Sequence, residues 1–177
     1  RNDFGNGNHT SLTYKSGPNE NAADCSNGKQ GSIRFPFKVQ ATVIPSCVVT
    51  ATSDINLGSY SAGTTNIAGN NSNAIGVKCT NGAPYNIGLT PSNGNVEGTG
   101  VMSGTSGNPD KVLYQLRSNT GLGGAIWGNT ATSTSVGNGV TGTGTGAVQT
   151  QPVYVTVPNV DFKPDNYSDR VTIKANY

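Results

Sequence analysis

The clearest periodic stretch of the chain is SIRFPFKVQATVIPSC, residues 32–47, where Ile33, Phe35, Phe37, Val39, Ala41 and Val43 occupy every second position. An extended strand with that period turns one face to a core and the other, here carrying Arg34, Lys38, Gln40 and Thr42, to water. Two readings stand open: a strand of this domain, or a strand meant for another molecule's core. Shorter apolar patterns follow, each bounded by turn residues: CVVTAT, INLGSYSAG, NAIGVKCT, YNIGLTP, GVMSG, KVLYQLRS, GAIWGN and PVYVTVP. In KVLYQLRS, Val112, Tyr114 and Leu116 run out of phase with Leu113. The last stretch, NYSDRVTIKANY, alternates Val171, Ile173, Ala175 and Tyr177. No window supports an amphipathic helix of useful length. Many short strands spaced by turns predict an all-β antiparallel sandwich.

Residues 1–31 break this rhythm. They are polar and punctuated by Gly, Asn and Pro, and only TSLTY resembles a strand. The pattern divides the chain into a polar extension, or the end of a preceding domain, over 1–31 and a β domain over 32–177. A second interruption is the low-complexity run TATSTSVGNGVTGTGTGAVQTQ. Its Gly-Thr part, Gly137–Ala147, lacks the Lys and the following helix of a phosphate-cradling loop and is read as a mobile hairpin loop.

Composition changes the picture in one respect. The chain has 177 residues, enough for one domain with an extension. Only 33% of it is hydrophobic and 11% charged, with 25 glycines. Disorder competes as an explanation, but a net charge of +2 and distinct strand patterns favour a folded protein with a hydroxyl- and amide-rich surface. Eleven basic against nine acidic residues give no basic patch for nucleic acid. No apolar run is long enough to span a bilayer. The opening residues, with neither Met nor an apolar leader, read as those of a mature or trimmed secreted chain.

Several landmarks occur in order: PSCVVTATSDINLGSYSAG, then AIGVKCTNGAPYNIGL, then VMSG, KVLYQLRSN and IWGN, and finally PVYVTVPNVDFKPDNYSDRVTIKANY. Together they make residues from about 33 to Tyr177 resemble the spore coat protein U domain family, which includes subunits of archaic, Csu-type chaperone–usher pili. The chain departs from that family at Asp165 and Asn166, where a Gly often precedes the Tyr of the last motif; the expected effect is an altered turn.

The resemblance implies an incomplete immunoglobulin-like sandwich lacking its last strand. A donor strand from a chaperone or a neighbouring subunit would complete it. Val171, Ile173, Ala175 and Tyr177 then form the terminal strand beside the acceptor groove, whose unpaired edge needs an outside strand. The same resemblance makes residues 33–43 the candidate donor strand, although they remain a candidate first strand of the domain itself. Burying the six apolar side chains would contribute on the order of 10 kcal/mol before ordering entropy. Pro36 lacks a donor N–H and divides the stretch. The family's paired cysteines correspond to Cys47 and Cys79, which implies a disulfide between them. Cys25 is left over, either unpaired or bonded outside the chain.

Nothing points to catalysis. His9 is the only His, which removes a His-based triad and His metal sites. Asp161, Asp165 and Asp169 are spaced by four without the pattern of a calcium loop and are read as solvated turn carboxylates. Trp127 is assigned to the core. The chain is therefore expected to need no cofactor and no metal. Its implied partners are a periplasmic chaperone, an outer-membrane usher and neighbouring pilus subunits. Its implied role is surface attachment and biofilm formation on a pilus reached through the periplasm of a Gram-negative bacterium. Two alternatives stay open: the pilin domain of a two-domain tip adhesin, with residues 33–43 joining the domains, and a secreted coat or matrix protein without fibre assembly.

Overall fold

Turns rich in Gly, Asn and Pro cut the described residues into eleven strands, and those residues contain no helix. The computed structural model describes the backbone of residues 3–5, 9–13 and 32–177, and side chains from Pro36 onward. Cys25 and the side chains of His9, Ile33 and Phe35 lie outside the described residues. The chain forms two compact units, Arg1–Val43 and Ile44–Tyr177.

The smaller unit holds β1 (Asp3–Gly5), β2 (His9–Thr13) and β3 (Ser32–Pro36) in one antiparallel sheet of that order. Strand β3 pairs with β2 from Thr13↔Ser32 to His9↔Pro36. Pro36 thus takes the last position of its strand, where its missing N–H disturbs the ladder least. The alternating segment is thereby split: Ile33 and Phe35 belong to β3, while residues 37–46 form no strand.

The larger unit contains β4 (Cys47–Ala51), β5 (Thr65–Cys79), β6 (Pro84–Pro91), β7 (Thr99–Ser103), β8 (Lys111–Arg117), β9 (Val140–Thr143), β10 (Gln149–Asn159) and β11 (Val171–Asn176). These make two antiparallel sheets, ordered β4-β5-β10-β8-β7 and β11-β6-β9. Both sheets turn apolar side chains into one core. Val77 of β5, Val112, Tyr114 and Leu116 of β8 and Val155 and Val157 of β10 meet Tyr85, Ile87 and Leu89 of β6 there. The period of two in KVLYQLR is realised in full, with Leu113 on the outer face at 52% exposure. Trp127 is buried in the same core and donates its indole N–H to the Ile87 carbonyl at 2.9 Å.

Three segments differ from the sequence-based expectation. INLGSYSAG is not a strand: Ile55 and Leu57 are half-buried and pack against the core as a loop. The Leu57 side chain lies directly over Gly69 of β5, a close approach that a Cβ at that position would block. The neighbouring loop carbonyl of Asp54 accepts a hydrogen bond from Asn71 Nδ2 at 2.8 Å. GAIWGN contributes a single bridge, Ile126 to Arg117. The Gly-Thr run is not merely a loop, because β9 lies inside it and pairs with β6. Gly142 of β9 stands opposite Tyr85, and its bare backbone leaves room for the Tyr85 ring. Glycine there serves close packing rather than mobility.

Candidate functional site

Strands β4 and β11 are each the outer strand of their sheet, and they lie close together without a hydrogen-bonded pairing between them. Their inward side chains are only half-buried: Cys47 and Val49 on β4, and Val171, Ile173 and Ala175 on β11. The fully buried apolar side chains come from β5, β6, β8 and β10 and from Ala83, Trp127 and Ala131 in the connections. Along the β4–β11 side, then, the core is less sealed than elsewhere.

The backbone of that side is open too. Leu89 faces Ile173 across the β6–β11 ladder, yet its N–H donates to the Gly128 carbonyl on the other side at 2.8 Å. In an antiparallel pair, directly opposed residues alternate between hydrogen-bonded and non-bonded positions. Val171, Ile173 and Ala175 therefore point their N–H and C=O groups away from β6, along an edge that no described strand occupies. Flanking β4, the Ser46 carbonyl accepts from the Thr80 N–H just after β5 and the Thr52 N–H donates to the Ala74 carbonyl of β5, at 2.9 Å each. The same alternation leaves the backbone groups of Cys47, Val49 and Ala51 facing outward. All of these residues but the exposed Ala51 supply half-buried side chains as well as unpaired backbone. Such an edge can accept an extended chain whose alternate residues are apolar.

Cys47 and Cys79 are bonded, with Cα atoms 4.1 Å apart and a sequence separation of 32. They stand directly opposite on β4 and β5, so the bridge pins one edge strand to its neighbour.

The start of β11 is held by two carboxylates. Asp169 accepts hydrogen bonds from Ser92 Oγ and, at 2.6 Å, from the Tyr114 hydroxyl. Asp165 accepts from the Thr105 N–H at 2.8 Å and from Asn108 Nδ2 at 2.7 Å. Between them, Ser168 and Ser103 exchange both backbone hydrogen bonds, at 2.9 and 3.0 Å. Hydrogen bonds from Asn108 and Thr105 hold the Asp165 carboxyl below the usual carboxylate range. Partial desolvation opposes the same trend at Asp169, but donors at Ser92 and Tyr114 prevail and lower it. Burial, reinforced by Asp169, pushes the Tyr114 hydroxyl above the usual tyrosine range. The reading of Asp165 and Asp169 as solvated turn carboxylates is thus corrected: both are tied into the fold. So is the expectation that Asp165 only alters a turn. No local pattern announced these ties, because the partners lie 55 to 77 residues away in sequence.

Of the remaining candidate residues, Phe37, Val39 and Val43 are 58%, 76% and 80% exposed. Ala41 is exposed as well, as is Tyr177 just beyond β11. Among the described residues, no group of three or more His, Cys, Asp or Glu is placed to hold a metal ion.

Residues 33–174 match the Spore Coat Protein U domain. The chain belongs to that family. No curated protein matches it. Among solved structures, it is similar to a chain of the CsuC–CsuE chaperone–tip adhesion subunit pre-assembly complex, from the archaic chaperone-usher Csu pili of Acinetobacter baumannii. That alignment covers 87% of this chain and 45% of the other, at 22% identity and a TM-score of 0.43. A chain of a chaperone–tip adhesin complex of CFA/I fimbriae biogenesis aligns over 73% of this chain and 42% of its own, with 13% identity and a TM-score of 0.43. The E. coli Hda pilus minor tip subunit, HdaB, aligns over 75% and 82%, with 12% identity and a TM-score of 0.36. The chain spans less than half the length of the first two.

Proposed function

We propose that this spore coat protein U domain is the non-catalytic subunit of a chaperone–usher pilus, assembled by donor-strand complementation. The observation that carries this reading is the pair of half-open edges, β4 and β11. At β11, Val171, Ile173 and Ala175 offer unpaired backbone and half-buried side chains together. In this reading the unit is an immunoglobulin-like sandwich short of one strand. A periplasmic chaperone lends that strand first, and a neighbouring subunit replaces it at the outer-membrane usher. Membership of the family supports the assignment.

The donor in this reading is the segment around Phe37, Val39, Ala41 and Val43, whose side chains are exposed and whose backbone forms no strand. Burying them in a neighbour would contribute on the order of 5–9 kcal/mol before ordering entropy. Ile33 and Phe35 are engaged in β3 and are not required. The pilus would serve attachment and biofilm formation at the cell surface. The test is multimer formation by chain purified with its chaperone and presented with the usher. Phe37→Asp and Val39→Asp should abolish stable multimers while chaperone binding persists. Lys38→Ser and Gln40→Ser, on the other face, should leave assembly intact. Equal assembly by all four variants would remove residues 37–43 as the donor.

One observation favours a second reading. Residues up to Val43 form a compact unit with a sheet of their own, β1-β2-β3. That suits the pilin-like domain of a two-domain tip adhesin, in which residues 37–43 join the domains and donate to no neighbour. Immunogold labelling separates the two: label along the shaft supports a stalk subunit, and label confined to fibre ends supports the tip.

A further inference from the structure

Strand β11 has one neighbour in its sheet, β6, and no described strand is paired along its other edge. A strand held from one side only frays readily at its ends, where few contacts resist opening. The residues before β11 counter this from three directions. Asp169, two positions ahead of Val171, is bonded to Ser92 just past the end of β6. The same carboxylate reaches Tyr114 on β8, in the opposite sheet. Ser168 is bonded to Ser103 on β7 through both backbone hydrogen bonds.

The Ser103 and Tyr114 ties both reach the opposite sheet, and the Tyr114 tie ends on a side chain of the core. Its ring is buried in the core at 4% exposure, packed over Gly100 on β7 in a space that a Cβ would fill. The hydroxyl has one strong acceptor, Asp169, and the acceptor is charged, which makes the bond stronger than a neutral one. Asp169 thus ties the stretch of chain before β11 to a side chain buried in the core. The free edge that begins at Val171 is thereby held at a set distance from the opposite sheet before any strand arrives.

We infer that Asp169, acting with Tyr114, is a positioning residue for strand acceptance: it preorganises the β11 edge so that an incoming apolar strand meets an ordered row of backbone groups. This inference rests on the strand-accepting reading of the edge. Preorganisation acts on the rate and affinity of binding, because ordering done beforehand is not charged against association. The bound state, with β11 clamped between two strands, depends on Asp169 much less.

The experiment follows uptake by the full-length chain of a fluorescein-labelled peptide of residues 33–44, IRFPFKVQATVI, by anisotropy. The thermal midpoint of the peptide-filled protein is recorded in parallel. Wild-type chain should take up the peptide saturably. Asp169→Ala should slow uptake about ten-fold, the factor that loss of one charged hydrogen bond brings. Asp169→Asn, which still offers an acceptor oxygen to Tyr114, should recover most of that loss. Tyr114→Phe keeps the ring and its packing and should slow uptake like Asp169→Ala, which keeps the test open if the alanine variant folds poorly. In each case the filled protein should melt within a few degrees of filled wild type. Wild-type-like uptake by both Asp169→Ala and Tyr114→Phe overturns the inference and leaves strand acceptance standing. A lowered midpoint of the filled protein without slower uptake also overturns it, because Asp169 would then serve stability alone. Absence of uptake by wild type overturns strand acceptance with this peptide and the inference with it.

Discussion

The Trp127 indole N–H donates to the carbonyl of Ile87 at 2.9 Å, and both residues are essentially sealed from solvent. The Ile87 backbone already belongs to β6, paired to β11 on one side and β9 on the other. The indole therefore satisfies a carbonyl on the central strand of the smaller sheet, from a segment that is not itself a strand. Trp127→Phe removes the donor, leaves a cavity and takes one of the hydrogen bonds from the buried Ile87 carbonyl. Together these should cost about 2–4 kcal/mol. The urea midpoint of the folded chain measures it, and a loss under about 0.5 kcal/mol would show that the bond contributes little.

Glycine supplies a second packing device. Gly100 stands opposite Tyr114 on β7 and β8, and Gly142 stands opposite Tyr85 on β9 and β6. In each pair the tyrosine ring lies where a Cβ would sit. Gly142→Val should push the Tyr85 ring out of the core and cost about 1–3 kcal/mol, as overpacking does. Gly123→Ala is the control: no atom lies within 4 Å of the added Cβ. It should stay within about 0.5 kcal/mol of wild type in the same urea titration.

These glycines mark where sequence reading stops. The strands with a clean period of two were legible: one face of KVLYQLRS is buried and the other is not, and PVYVTVP keeps the same apolar alternation although Thr156 on its other face is buried too. INLGSYSAG carries a similar signal, but its apolar residues dock from a loop onto β5. Periodicity cannot separate burial in a strand from burial in a loop. The Gly-Thr run hid β9 because glycine lowers strand propensity while its actual use is to admit Tyr85. The long β5 was visible only in its last part. The preceding Gly69–Asn73 stretch reads as turn, and it is held in the sheet by pairing with β10. That pairing slips by a bulge opposite Pro152, which has no N–H to give. The alternation at 33–43 was plain, but which molecule it serves is not encoded in its period. The carboxylate ties at Asp165 and Asp169 join residues distant in sequence and left no local trace.

Those ties give the fold a defined response to pH. Asp165 and Asp169 hold their protons less tightly when folded than in the unfolded chain. Their stabilisation is complete above the unfolded carboxylate value near 3.9 and is lost as pH falls through the folded value below it. Tyr114 behaves in the opposite sense, its folded value being raised. Its contribution is complete below about pH 10 and fades as the unfolded chain ionises above that. Urea midpoints should therefore be flat from about pH 5 to about pH 9.5 and fall on both sides. Asp169→Asn should shrink both limbs, since it removes one titrating carboxylate and part of what raises Tyr114. An acid limb unchanged in Asp169→Asn would assign it to other groups.

The disulfide should resist reduction in proportion to how well β4 is held. Cys79 is 1% exposed, and Cys47 lies opposite it on the edge strand at a non-hydrogen-bonded position, with Cα atoms 4.1 Å apart. The bridge joins positions 32 apart in sequence, for which restriction of the unfolded chain gives about 3–4 kcal/mol. That stabilisation falls on the strand that flanks the open edge. β4 is only five residues long and, among the described strands, bonded to a neighbour on one side, so the bridge helps to keep it in place. Non-reducing peptide mapping should recover Cys47 and Cys79 in one cross-linked pair, with Cys25 in neither. A Cys25–Cys47 or Cys25–Cys79 peptide would overturn the assignment. Dithiothreitol in native buffer should reduce the pair only slowly, because Cys79 is exposed to attack only when β4 peels from β5 and Cys47 is itself half-buried. Reduction should speed up sharply in urea, and the rate extrapolated to zero denaturant reports how often that edge strand opens.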